Sequence, residues 1–105
     1  MKARIEVLPD AMKQIEQAAA WWREHRASAP ALFGDELAAA FDLLEEQPDA
    51  GRPLPRRNFP RLRALLLPRT RYHLFYDHDT DAEFVLVRAV WSVVRGRRPR
   101  LRRQH

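Results

Sequence analysis

The segment Arg71–Tyr76 holds the side chains of this sequence best suited to acid–base chemistry. A histidine side chain can gain or lose a proton between about pH 5 and pH 8, so His73 is a candidate general acid or base. Tyr76 is the second catalytic candidate. The alternative is that His73 simply lies on the exposed face of a strand, between two aromatic residues.

Arginines supply the candidate groups for binding an anion. Arg61, Arg63 and Arg71 lie on two consecutive predicted strands, and antiparallel pairing would bring side chains of the same face close together. Such a cluster would bind a phosphate or an acidic side chain of a partner. It would otherwise be the solvated edge of a basic protein.

Three further residues near the end of the chain complete the set of candidates for binding an acidic partner. Arg88 lies in an otherwise apolar strand, where alternation would put it on one face with Phe84, Leu86 and Val90, so its charge needs a partner or an open groove. Trp91 is expected to be a core or interface anchor. Arg95 opens a tail with six arginines in residues 95–105.

The sequence offers no pattern for a metal site or a cofactor. Cysteine is absent, which removes disulfides and thiolate chemistry and fits a reducing cytoplasm. The four histidines are scattered, and His73 and His78 have poor spacing for shared metal ligands. No paired-carboxylate, Ser-His-Asp or glycine-rich phosphate motif is present. We therefore expect a protein without a cofactor.

Charge is distributed unevenly along the chain. Residues 1–51 carry five Lys or Arg against ten acidic residues, whereas residues 52–105 carry fourteen Arg against four. The second half is thus suited to an acidic partner. No apolar run approaches the roughly 20 residues of a membrane span, so the expected location is the cytoplasm.

Hydrophobic periodicity predicts an α+β fold. Residues 3–8 alternate like a strand, and residues 11–26 and 30–47 have helical spacing, with Asp10 as the expected N-cap and Pro30 in the first turn. The prediction is an N-terminal strand and an antiparallel two-helix hairpin. A three-stranded antiparallel meander follows, with strands at 62–67, 71–76 and 84–91, and then the basic C-terminal tail. At 105 residues, we expect a single domain.

This order of elements and several short segments resemble the RelE/ParE toxin superfamily. The segments are Pro48-Asp49-Ala50-Gly51-Arg52, Arg61-Leu62-Arg63-Ala64-Leu65, Arg71-Tyr72-His73-Leu74-Phe75-Tyr76, Val87-Arg88-Ala89-Val90-Trp91 and Arg95-Gly96-Arg97-Arg98-Pro99. The resemblance implies the toxin of a type II toxin–antitoxin system, which is neutralised by a cognate antitoxin with an acidic tail.

The resemblance also separates two modes of action. Relatives of the RelE kind are ribosome-dependent ribonucleases that use lysines and an arginine on the meander. In this sequence Ala64 and Leu66 fall where those lysines would lie, and His73 falls where the arginine would lie. The departure favours a ParE-like toxin acting on DNA gyrase, which need not be an enzyme. The first alternative is a ribonuclease acting on messenger RNA at the ribosome, and only then would His73 and Tyr76 be catalytic. The second alternative is a non-catalytic nucleic-acid-binding module.

Overall fold

The structure is a computed structural model that describes residues 2–95 and residue 101. It contains two helices, five strands and a short 3-10 turn. In chain order these are β1 (Arg4–Val7), α1 (Pro9–His25), α2 (Leu32–Glu46), β2 (Arg52–Pro53), β3 (Leu62–Leu67), β4 (Tyr72–Asp79), β5 (Phe84–Ser92) and the 3-10 turn Val93–Arg95. The predicted tail lies outside the described residues, with two exceptions. These are Leu101 and the backbone of Arg95.

The strands form one mixed sheet in the order β1-β5-β4-β3-β2. The antiparallel meander β3-β4-β5 confirms the sequence prediction, as does the α+β class. The sequence did not predict that β1 pairs in parallel with β5 or that β2 adds an edge strand beside β3. β2 escapes a pattern-based prediction because it has only two residues and lies within a proline-rich loop.

The start of α1 differs from the sequence prediction. Leu8 is the N-cap and makes no side-chain capping hydrogen bond, while Pro9 begins the helix. Asp10 therefore lies in the first helical turn instead of capping it. Proline suits this position because its fixed φ is helical and its missing N–H would have had no helical acceptor. An acidic residue in the first turn also interacts favourably with the helix dipole.

The second helix buries the apolar stripe that its spacing predicts. It begins at Leu32, two residues later than expected, so Pro30 lies in the preceding turn. Its buried residues are Phe33, Leu37, Ala40 and Leu44, and Phe41 is partly buried against the same core. The indole N–H of Trp22 donates to the Ala29 carbonyl at 2.8 Å, which ties the turn between the helices to α1.

The sheet has two different faces. The helices cover one face, where Leu74, Val85 and Val87 are buried in the main core. The opposite face, called here the outer face, carries a smaller cluster formed by Leu62, Ala64, Phe75 and Ala89, on which Leu54, Phe59, Trp91 and Leu101 pack. Within the described part of the chain, neither helix has the length and apolar character of a membrane-spanning segment.

Candidate functional site

His73 lies on the outer face of the sheet. Its register partners are Leu66 on β3 and Trp91 on β5, and its ring centroid is 5.7 Å from that of Phe75. Ala64 pairs with Phe75 and so shares this face. Ala64 and Leu66, the two positions where the resemblance would place nuclease lysines, therefore lie on the same face as His73.

Arg88 also reaches the outer face, for a reason that the sequence pattern hides. The β4–β5 register shifts between Phe75 and Tyr76, which leaves Arg88 as the extra residue of a β-bulge. A bulge breaks the strict alternation of strand side chains. Val90 consequently belongs to the helix-covered core, and the expectation that it shares a face with Arg88 is wrong.

A partly buried ion pair holds the Arg88 side chain. Its Nε and Nη2 atoms both lie 2.7 Å from Asp77 Oδ2, and the two side chains are 11% and 21% exposed. The guanidinium carbon lies 4.7 Å from the centroid of the Phe59 ring. The charge that the sequence left unexplained thus has a carboxylate partner and an aromatic neighbour.

Tyr76 lies on the side of the sheet opposite His73 and is fully buried. Its hydroxyl donates to the Pro48 carbonyl and accepts the Gly51 N–H, both at 2.8 Å. Burial raises the pKa of Tyr76, outweighing the opposing effects of the Gly51 hydrogen bond and the nearby Arg63 charge. His73 and Tyr76 do not face a common substrate site, and the tyrosine holds the loop that follows α2.

Arg61 and Arg63 are separated from Arg71 by the length of β3. Arg63 donates from Nη1 to the carbonyls of Asp49 at 3.0 Å and Gly51 at 2.7 Å. Arg61 forms an exposed ion pair with Asp79 at 3.3 Å. The expected convergence of the three arginines is therefore wrong: Arg61 and Arg63 lie at one end of β3 and Arg71 follows the other, about 17 Å away at the usual rise per residue.

Arg71 lies in the turn between β3 and β4 with a φ of 65°, in the left-handed region that few non-glycine residues adopt. Its N–H donates to the Leu67 carbonyl, and its own carbonyl accepts the Val93 N–H, both at 2.8 Å. The backbone is fixed while the side chain is exposed. The adjacent Glu36 accepts hydrogen bonds from the Arg69 and Thr70 amides and the Thr70 hydroxyl.

The Glu36 carboxylate is held in its charged form by these contacts. Burial alone would raise its pKa, but the hydrogen bonds from Thr70 and Arg69 and the positive charge of Arg69 together lower the pKa below its ordinary value. The three hydrogen bonds also join α2 to the β3–β4 turn and thereby position Arg71.

Arg71 opens onto a cleft beside α1 that the sequence analysis missed. Trp21 and Arg26 of the α1 segment line it with Arg69 of the β3–β4 turn. Trp22 and Arg26 are four residues apart, which puts their side chains on one helix face. This spacing was the sequence feature that could have indicated one side of the cleft. Nothing local in the sequence indicated that the turn would face them.

The remaining candidates are Trp91 and Arg95. Trp91 is partly buried on the outer face next to His73, consistent with the expected anchoring role. The backbone of Arg95 ends the 3-10 turn, and its side chain lies outside the described part of the structure. Among the described residues, no cluster of three or more His, Asp or Glu side chains is suited to holding a metal ion.

Comparison with known proteins identifies the family. The sequence profile of the ParE toxin of the type II toxin-antitoxin system, parDE, matches residues 5–95. The chain belongs to this ParE toxin family. Membership of the RelE/ParE superfamily, and with it the toxin class of type II systems, is thereby shown. Comparison with curated protein sequences gave no significant match.

Solved structures of the superfamily share the fold at low sequence identity. The toxin–antitoxin complex RelBE2 from Mycobacterium tuberculosis gives a TM-score of 0.65 at 18% identity, covering 88% of this chain and 99% of the other. A mutant of the E. coli toxin RelE in the free state gives 0.56 at 19% identity, covering 89% and 85%. The intact E. coli RelBE complex gives 0.50 at 20% identity, covering 86% and 95%.

Proposed function

We propose that this ParE-family chain is a growth-inhibiting toxin that acts on DNA gyrase and is neutralised by a cognate antitoxin. The observation that carries the proposal is the family match over residues 5–95. The same match supports treating residues 1–105 as one toxin domain. The gyrase target follows from the ParE-like character of the chain, since ParE-like toxins are understood to poison this enzyme.

The outer face supports a ParE-like action over messenger RNA cleavage. A nuclease of the RelE kind needs cations near the scissile phosphate and the leaving group. Here Ala64, Leu66, Phe75 and Trp91 surround His73. Arg88, which reaches this face, is paired with Asp77. Ala64 and Leu66 supply no cation to a scissile phosphate at His73, and this favours a ParE-like action.

An antitoxin partner is supported by the structural relatives and by charge. Two of the similar structures are toxins in complex with their antitoxins. The second half of this chain carries ten more arginines than acidic residues, which suits a partner segment rich in carboxylates. Arg61 and Arg71, whose side chains are exposed, are the arginines we expect to contact the target or the antitoxin.

Expression of the chain alone should arrest bacterial growth, and co-expression of the small protein encoded beside it should restore growth. With purified chain, gyrase and supercoiled plasmid, the expected product is cleaved DNA trapped on the enzyme. Unimpaired growth at confirmed soluble expression would contradict the toxin function and favour the nucleic-acid-binding module. Growth arrest without trapped gyrase cleavage would contradict the proposed target.

Arg71→Ala tests the contribution of the exposed arginine. It should abolish growth arrest while leaving the thermal melt nearly unchanged, because exposed charges contribute little to folding. Arg57→Ala is the matched control, since Arg57 is exposed on the loop before β3. Equal growth arrest by both variants would remove Arg71 from the target-binding surface.

The ribonuclease remains the second candidate because His73 lies on the outer face and the structural relatives are RelE toxins. His73→Gln keeps a hydrogen-bonding side chain but cannot transfer a proton near neutral pH. Retained growth arrest in this variant supports gyrase as the target. Loss of arrest with folding intact, together with messenger RNA cuts at codon positions by the parent, would replace our proposal by the ribonuclease.

A further inference from the structure

A cleft of about 560 Å³ opens where the carboxyl end of α1 meets the β3–β4 turn and the residues that follow β5. Its volume is within the usual range for sites that bind a ligand or a peptide side chain. The residues that matter for its chemistry are Trp21, Trp22, Arg26, Arg69, Arg71 and Val94. Of these six residues, only Trp22 also belongs to the main core between the helices and the sheet.

The cleft exposes apolar surface. Trp21 is 41% exposed and Val94 is 83% exposed, whereas Trp22 is buried and forms the apolar floor. Large apolar side chains that are exposed beside one another often mark an interaction site. A bound apolar side chain would remove this surface from water and recover the corresponding hydrophobic free energy.

Three exposed arginines, Arg26, Arg69 and Arg71, line the same cleft. Each is held by a contact of its side chain or of its backbone. The Arg26 guanidinium carbon lies 5.2 Å from the Trp21 ring centroid and 5.7 Å from that of Trp22. The amide of Arg69 is held by Glu36, and Arg71 is fixed in its left-handed turn. The backbone that carries Arg69 and Arg71 is therefore in place before a partner binds, and the three positive charges of the cleft suit carboxylates.

The cleft continues into a second groove along α1. This groove has a volume of about 280 Å³, shares Trp21, Tyr72 and Ser92 with the cleft, and extends to Gln14. Gln14 Oε1 accepts the Val90 N–H at 2.8 Å, where β5 extends past the end of β1. The combined surface is elongated and suits a stretch of polypeptide better than a compact small molecule.

We propose that this groove receives an acidic segment of the antitoxin, which inserts one large apolar side chain beside Trp21 and Val94. Carboxylates flanking that side chain bind the arginines at the rim of the cleft. The inference rests on the proposed function, because it names the contact by which the antitoxin holds the toxin. Since Arg71 lies in the same cleft, an antitoxin bound there also covers a residue that we assign to target binding.

The aromatic contacts favour a peptide over a single-stranded nucleic acid. Proteins bind single-stranded nucleic acids by stacking the bases on exposed aromatic rings. The Trp21 ring is already stacked on His25 at 4.6 Å with an angle of 10°, and Arg26 lies over the same ring. Less of the ring remains for a base, while its exposed edge and Val94 can still pack against an aliphatic or aromatic side chain.

Titration of the full chain with the purified small protein encoded beside it tests the inference. Arg26→Glu reverses one charge at the cleft, and Trp21→Ala removes the apolar wall. Each should weaken binding by about tenfold or more. Loss of an interface tryptophan and reversal of an interface charge usually have effects of this size. Arg57→Glu makes the same charge change on the 54–61 loop and should stay within about twofold of the parent. Thermal melts of all variants identify any that fail to fold.

Unchanged affinity in both folded cleft variants, or no binding by the parent, would overturn the inference. A parallel titration with single-stranded oligothymidine covers the other class of partner. If Arg26→Glu and Trp21→Ala weaken oligothymidine binding and leave antitoxin binding intact, the cleft is a nucleic-acid site and the inference fails. Growth arrest by the parent is scored separately, so a toxin whose antitoxin docks elsewhere is distinguished from a chain that is not a toxin.

Discussion

Replacing Arg88 by methionine should destabilise the protein by about 3–5 kcal/mol, the usual cost of leaving a buried charge without its partner. The guanidinium and the Asp77 carboxylate are mostly buried and meet at 2.7 Å. Asp77 Oδ1 is buried without a hydrogen-bond partner among the described residues, and Arg88 is the described cation that pairs with this carboxylate. Methionine retains an apolar stem that can pack against Phe59, which limits the contribution of a cavity.

Urea denaturation followed by circular dichroism measures this change. A loss of 3 kcal/mol would also lower the melting temperature by at least about 12 °C for a domain of this size. The double variant Arg88→Met with Asp77→Asn should recover much of the loss, because it removes the unpaired charge. Arg57→Met, on an exposed loop residue, should change the free energy of unfolding by less than about 0.5 kcal/mol.

Two results would refute this reasoning. Arg88→Met within about 1 kcal/mol of the parent would mean that the ion pair is not desolvated. A double variant no more stable than the single one would mean that the cost comes from packing. The result also bears on growth assays, because an unfolded Arg88 variant would lose toxicity without having lost any contact with the target.

Three further predictions concern the parts of the fold that support the site. Gly51→Ala should lower the free energy of unfolding by about 1–3 kcal/mol, because a Cβ there would lie 2.6 Å from the Tyr76 hydroxyl oxygen; an unchanged urea midpoint would contradict this contact. Phe33→Ala should cost about 3–5 kcal/mol by the same assay, since the side chain is 1% exposed; a cost below about 1 kcal/mol would mean that α2 does not bury its stripe. Glu36 has a pKa below its ordinary value of 4.5, so its contribution to stability is complete above that pH and is lost as pH falls through the lower folded pKa. The parent should therefore be more stable than Glu36→Gln at pH 7 and lose that advantage in acid, and a constant difference from pH 7 to acid would contradict the assignment.

The order of the main helices and strands along the chain was predictable from the sequence because it depends on local patterns. The apolar spacing of Phe33, Leu37 and Leu44 fits only a helix with one buried face, and that face is buried. The strand at 62–67 has the predicted bounds, since its residues favour a strand and turns enclose it. β4 is longer than predicted because Asp77 and Asp79 look like turn residues although they pair with β5.

The site itself was decided by long-range packing. Alternation predicts the face of each strand residue only while the register is unbroken, and the bulge at Arg88 changes that face in one step. The Tyr76 hydroxyl accepts a hydrogen bond from the N–H of Gly51, 25 residues away in the sequence. Local sequence patterns could not indicate that this contact would hold Tyr76 away from a substrate. The cleft joins Trp21, Arg71 and Val94 from three separate parts of the chain. The sequence by itself determined which residue types were available and which elements carried them. Only the tertiary structure decided which of them meet, because that depends on pairing and packing between segments that have no local relation in the sequence.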